Sequence, residues 1–125
     1  MILGCGIDIL ETRRVEQEHT RGEWLPEEGI FTPEEVTRCN TSRNPARRFA
    51  ACFAAKEAAL KALGAQVDDL AIFREAEVMF GPGAECSIIL HGRLRSASER
   101  RGVRSIRLSI TQSANQTCAM VLLEA

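Results

Sequence analysis

Residues 51–64 read ACFAAKEAALKALG, and the placing of three charges in this otherwise apolar run decides the fold. Steps of about 100° per residue put Phe49, Phe53, Leu60 and Leu63 on one side, with Cys52 at its edge. Ala51, Ala55, Ala58 and Ala62 fall opposite, a small-residue face that lets another element approach closely. A helix apolar nearly all round belongs in the interior. Asn44 supplies an N-cap, Pro45 suits the first helical position, and Gly64 suits the residue just past Leu63, so the expected helix runs from 45 to 63.

The charges need a reason to be there, because buried charge is costly unless something holds it. Glu57 and Lys61 are four apart and share a flank. One reading is an ordinary helical ion pair, worth about 0.2–0.5 kcal/mol. The other is a site, since no other solvated residues surround the pair. Lys56 projects near the middle of the large apolar side. Its stem would pack in the core while its head reaches outward to a contact.

Upstream, residues 2–10, ILGCGIDIL, read as a glycine-punctuated strand with one carboxylate. Alternation sends Ile7 and Ile9 one way and Asp8 the other, on the face that carries Gly4 and Gly6. Those glycines leave room beside Asp8 for a ligand or another backbone. Asp8 could instead cap the charged helix expected over 11–19.

Thr32, Pro33 and Glu35 form a capping-box start for a helix that ends near Cys39. Downstream, a strand is expected around 71–80 and another over CSIIL (86–90), joined by a turn at Gly81-Pro82-Gly83. A short helix follows and stops at Gly102. Strands SIRLSIT and TCAMVLLE then pair as a hairpin around QSANQ. Helices come early and strands late, which points to an α+β fold: a largely antiparallel sheet packed against a long buried helix.

The chain has 125 residues, so a single domain over 1–125 is expected. Its formal net charge of −1 provides no global field for nucleic acid or an anionic membrane, so any charge-selected partner must meet a local patch. The arginine-rich stretch 93–107 is a possible phosphate-contacting surface, but no aromatic interleaving accompanies it, and nucleic acid is not expected as a partner. Five widely spaced cysteines form no zinc pattern and suit a reducing, cytoplasmic setting. The N-terminus lacks the basic and apolar regions of a signal peptide, and no apolar run is long enough for a membrane span.

If Asp8 faces Glu57, two carboxylates meet with Lys61 close by. A carboxylate pair alone could serve glycoside hydrolysis. With a lysine added, it suits Mg²⁺ and phosphate better, because Mg²⁺ takes one or two carboxylates and completes its shell with water and substrate phosphates. The lysine then acts as a point cation on phosphate. No P-loop or kinase motif is present.

GIDIL, FTPEE, FAAKEAALKALG and LSIT, in this order, resemble the holo-acyl-carrier-protein synthases, which are 4′-phosphopantetheinyl transferases. The likeness spans essentially the whole chain. It implies Mg²⁺-dependent transfer of the phosphopantetheine arm of coenzyme A to a serine of an apo carrier protein, with adenosine 3′,5′-bisphosphate leaving. It implies Asp8 and Glu57 as metal ligands, Glu57 also as the base, and Lys61 as the cation on the pyrophosphate. Coenzyme A contacts are implied for Lys61, Gly64, Arg47, Arg48, Ser109, Thr111 and Gln112. A homotrimer with interfacial active sites is implied too, as is docking of an acidic carrier on the first helix at Arg13, Arg14 and Arg21.

Three positions depart from the family pattern. Cys52 stands where an arginine is usual, with Arg47 or Arg48 placed to compensate. Gln112 replaces a histidine after the S-I-[ST] motif; it can donate a hydrogen bond but has no proton to exchange at neutral pH. Glu85 falls where the family has a G-x-P turn, leaving Gly81-Pro82-Gly83 to make that turn. Cys52 and Gln112 are what would support a non-catalytic relative that binds coenzyme A or a carrier without turnover. His19 and His91 have no evident partner in the sequence.

Overall fold

The computed structural model describes residues 1–23 and 29–125. Among the described residues ten elements follow in order: β1 (Ile2–Glu11), α1 (Thr12–Thr20), α2 (Pro33–Asn40), α3 (Pro45–Leu63), a 3₁₀ turn (Leu70–Glu75), β2 (Ala76–Phe80), β3 (Cys86–Leu90), α4 (Gly92–Arg100), β4 (Ser105–Gln112) and β5 (Gln116–Glu124). The strands form two antiparallel sheets, a three-stranded one in the order β1-β5-β4 and a two-stranded β2-β3 ribbon. The fold is α+β, with α3 buried against both.

The ends of α3 are where its capping residues place them. Asn44 accepts from the Arg47 amide at 3.3 Å, and Gly64 takes the left-handed conformation at φ +65°. Between these ends nearly every residue is buried, including Phe49, Cys52, Leu60 and the alanines on both sides. The alanine side meets β1. A Cβ built on Gly6 would lie 2.0 Å from the Ala58 carbonyl oxygen, and one on Gly4 2.4 Å from that of Ala62. The room beside Asp8 is therefore filled by the backbone of α3, and this near contact brings strand and helix functional groups together.

The sheet faces follow from register. Asp8 pairs with Ala119, which pairs with Ile110, while Ile7 pairs with Met120 and Met120 with Ser109. Residues directly opposite on neighbouring strands share a face. Asp8 thus lies on the inner face under α3. Ile7, Ile9, Met120, Ser109 and Thr111 are exposed on the outer one.

Three expectations change. The strand expected over 71–80 is a 3₁₀ turn to Glu75 and a strand only from Ala76, because the carbonyls of Phe73 and Ala76 turn inward onto Lys56. Lys56 does not snorkel: it is fully buried, and its ammonium donates to both of those carbonyls at 2.8 Å and pairs with Glu35 at 2.7 Å. Asp8 does not cap α1. Glu11 occupies that position, and its side chain makes no capping bond. The capping box of α2 is formed as expected, Glu35 taking the Thr32 amide at 2.8 Å and Thr32 the Glu35 amide at 3.1 Å.

Candidate active site

Asp8 is positioned by strand pairing and by the glycines before it, which let β1 lie on α3. Its carboxylate is buried, and Lys61 Nζ donates to Oδ1 at 3.0 Å and to the Ile7 carbonyl at 3.1 Å. The Lys61 side chain is 54 % exposed, so the ammonium sits at the mouth of the site, not inside it. Glu57, one helical turn earlier, is half-buried. Burial first, then the charge of Asp8 and a hydrogen bond with it, push the Glu57 carboxyl above the usual glutamate range, and Lys61 offsets part of that rise. The two carboxylates therefore face each other across the β1–α3 contact, as expected if they form a site.

Their chemistry fits a hard divalent cation. Two adjacent carboxylates that disfavour joint ionisation gain from a cation between them. Among the described residues no group of three or more His, Cys, Asp or Glu side chains stands together; a Mg²⁺ ion held by two carboxylates would take its other ligands from water and substrate. Beside them opens a hollow of about 180 Å³ lined by Glu57, Leu60, Lys61, Gly64, Val67 and Phe73. Val67 comes from the irregular stretch after α3, where no periodicity marks it, and Phe73 from the 3₁₀ turn, which the sequence reads as strand.

This geometry carries a pH signature. A raised Glu57 titration means that the proton-bound form is favoured in the metal-free fold. Its contribution to stability is full below the unfolded-state titration and is lost as pH rises through the folded one. A cation needs the ionised form, so stabilisation by Mg²⁺ should grow across the same interval. Melting curves with and without Mg²⁺ at stepped pH should show the shift setting in above the ordinary glutamate range of about 4.3. A shift already complete within that range would contradict the arrangement.

The other sequence-derived residues lie elsewhere. Ser109 lines a hollow of about 630 Å³ with Phe80, Gly81, Glu85, Cys86 and Ser87, between β3 and β4. The Gly81–Gly83 segment makes the turn there, closed by the Gly81 amide on the Glu85 carbonyl at 2.9 Å. The Glu85 carboxylate folds back over Gly81, so it does not point away from that hollow. Arg48 stacks over the Phe80 ring at 4.3 Å. Arg47 donates to the Ser113 carbonyl at 3.0 Å. The Gln112 amide donates to the Arg47 carbonyl at 2.9 Å and to Thr117 Oγ1 at 3.0 Å, tying α3 to the β4–β5 hairpin. Cys52 is buried, its thiol donating to Glu35 at 3.3 Å, and burial pushes that thiol well above its ordinary range, which makes it a core residue.

Arg13 on α1 and Arg21 just past its end border one shallow hollow with Glu16 and Gln17. Arg14 pairs with Glu18 at 2.9 Å, Arg21 with Glu23 at 3.2 Å, and Arg13 donates to Asn115 at 3.0 Å. The histidines do have neighbours: His91 meets Glu77 at 3.1 Å, and His19 lies 6.0 Å from the Phe49 ring. No helix among the described residues is long and apolar enough to cross a membrane.

Residues 4–120 match the model of the 4′-phosphopantetheinyl transferase superfamily. A holo-[acyl-carrier-protein] synthase of Koribacter versatilis is 37% identical over 124 residues, covering 99% of each chain. The crystal structure of the holo-[acyl-carrier-protein] synthase of Neisseria meningitidis superposes with a TM-score of 0.85 at 26% identity, over 100% of both chains. That of Bacillus anthracis, in complex with CoA (3′,5′-ADP), superposes with a TM-score of 0.76 at 28% identity, over 100% of this chain and 98% of the other.

Proposed function

The chain belongs to the 4′-phosphopantetheinyl transferase superfamily, and on that premise we propose that it uses Mg²⁺ held by Asp8 and Glu57 to move the phosphopantetheine arm of coenzyme A onto a serine of an apo acyl carrier protein, releasing adenosine 3′,5′-bisphosphate. It is an enzyme, a phosphopantetheinyl transferase, as its whole-length likeness to the holo-acyl-carrier-protein synthases states. The observation that carries the mechanistic reading is the Asp8–Glu57–Lys61 cluster: two facing carboxylates with a half-exposed lysine, bonded to Asp8, at the lip of a hollow.

Bound there, Mg²⁺ would supply Lewis acidity and a template for the pyrophosphate. The protein's own groups account for the proton and the charge. The serine oxygen forms its bond to phosphorus as the bond to the bisphosphate breaks. Glu57 takes the serine proton directly or through a water. The Lys61 ammonium, freed from Asp8, stabilises the charge that builds on the departing bisphosphate. Lys61, Gly64, Arg47, Arg48, Ser109, Thr111 and Gln112 remain the proposed coenzyme contacts.

A partner subunit is part of this reading. Asp8 lies on the inner face of the three-stranded sheet, and Ser109 and Thr111 on the outer one, so one chain does not gather them round one ligand. The outer face also exposes Ile7, Ile9 and Met120. A homotrimer with sites between subunits would cover that apolar face and bring the outer residues of one chain to the cluster of the next. The acidic carrier is assigned to α1 at Arg13, Arg14 and Arg21, a local basic patch on a nearly neutral protein, and the setting is assigned to the cytoplasm.

The test is direct. With coenzyme A and Mg²⁺, an apo carrier protein should gain the mass of one phosphopantetheine arm per chain. Several apo carriers that all stay unmodified would overturn the assignment.

A further inference from the structure

The chain's two lysines have opposite fates, and the catalytic reading uses only Lys61. Lys56 lies inside the protein with all three ammonium hydrogens engaged: Glu35 Oε1 at 2.7 Å, and the Phe73 and Ala76 carbonyls at 2.8 Å. Glu35 is as fully occupied. Oε1 also takes the Thr32 amide at 2.8 Å, and Oε2 takes the Val78 amide at 2.7 Å and the Cys52 thiol at 3.3 Å. One buried ion pair thus joins α2, α3, the 3₁₀ turn and β2.

Stability alone is a poor explanation for such a pair, because well-packed apolar side chains of similar volume often serve as well. What the pair supplies is direction. Lys56 and Glu57 are neighbours on α3, about 100° apart around its axis. Three fixed bonds on Lys56 set the rotation of the helix at that turn, and therefore where Glu57 points toward Asp8. The same ammonium holds the Phe73 backbone, while the Phe73 side chain packs on Phe53 at 5.7 Å and walls the hollow beside Glu57 and Lys61.

We propose that Lys56 and Glu35 are positioning residues for the transfer reaction: their buried ion pair sets the rotation of α3 and the Phe73 wall, and so the placement of Glu57 and Lys61 against Asp8. This rests on the assignment of Asp8, Glu57 and Lys61 to the reaction. Neither residue touches the reacting atoms. Their effect is geometric, and misplacement of about 1 Å at a reacting centre is enough to lower rates about 100-fold.

The test uses Lys56→Met/Glu35→Gln, which removes both charges and keeps side-chain length, and Glu35→Asp, which keeps both charges and shortens the reach. Each is assayed for thermal unfolding, for Mn²⁺ affinity of the protein without substrate, and for the KM of coenzyme A against kcat. The expected result is a folded protein with Mn²⁺ affinity lowered about 10-fold and kcat/KM lowered about 100-fold, the larger part in kcat. A folded variant with wild-type Mn²⁺ affinity and turnover overturns the proposal. Failure of both variants to fold also overturns it, because the pair would then serve folding and not placement. If the wild-type protein itself modifies no carrier, the underlying assignment fails instead, and the two failures are separately visible.

Discussion

Glu57→Gln should leave a folded protein whose transfer rate is at least about 1,000-fold lower, and whose metal-free form melts higher than wild type at neutral pH. The rate loss follows from two roles on one carboxylate. An amide takes no serine proton, and it is a poor partner for a hard cation, so base and metal ligand go together. The gain in stability follows from the same site read without metal. Burial and the neighbouring Asp8 charge make ionised Glu57 less favourable in the metal-free fold, so its ionisation costs stability. The sign is that of a group titrating above its unfolded value, whose stabilising form is lost as pH rises. A glutamine is uncharged at every pH and can donate to Asp8. Mg²⁺ should then raise the melting temperature of the wild type and not of the variant. Carrier mass and paired melts with and without Mg²⁺ report both effects, and a fully active Glu57→Gln enzyme would sink the assignment.

The sequence displayed the parts of this site that depend on period, and concealed those that depend on long-range contact. Glu57 and Lys61 share a flank by helical spacing, and Asp8 faces away from Ile7 and Ile9 by strand alternation, so both sides of the cluster could be placed before any coordinates. The glycines at 4 and 6 mark room beside Asp8 for a ligand or another backbone, and the structure fills it with the backbone of α3. The burial of Lys56 has no local signature. Its partners are two backbone carbonyls some 17–20 residues away and a carboxylate already accounted for by the capping box. A capping glutamate has a second oxygen, and no local pattern shows where that oxygen points. The 3₁₀ turn was hidden by the same contact, because 70–75 is rich enough in apolar residues to read as strand until its carbonyls are claimed by an ammonium. The side to which Ser109 and Thr111 face is set by register through β5, which single-strand alternation cannot provide.

Gly6→Ala should damage both fold and activity more than its size suggests. The new methyl would lie 2.0 Å from the Ala58 carbonyl oxygen and 2.6 Å from the Ala62 amide nitrogen. Both are backbone atoms of a buried helix, so no side chain can rotate to make room. The strand must lift or the helix must tilt, an overpacking change near the upper end of the usual range, about 3 kcal/mol. For a chain of this length that corresponds to a melting temperature lower by roughly 10 °C. The displacement also acts at the point where Asp8 meets Glu57. Carrier modification measured well below the melting point should therefore fall about 100-fold, beyond what partial unfolding removes. Gly64→Ala separates sterics from backbone conformation. Nothing lies within 4 Å of a Cβ there, and only its left-handed φ of +65° is opposed, at about 1–2 kcal/mol. Its smaller loss of stability should come without a change in how the free protein binds Mn²⁺, whereas Gly6→Ala should weaken that binding. If Gly6→Ala were no less stable than Gly64→Ala and bound Mn²⁺ like wild type, the close β1–α3 contact would not be what holds the two carboxylates together.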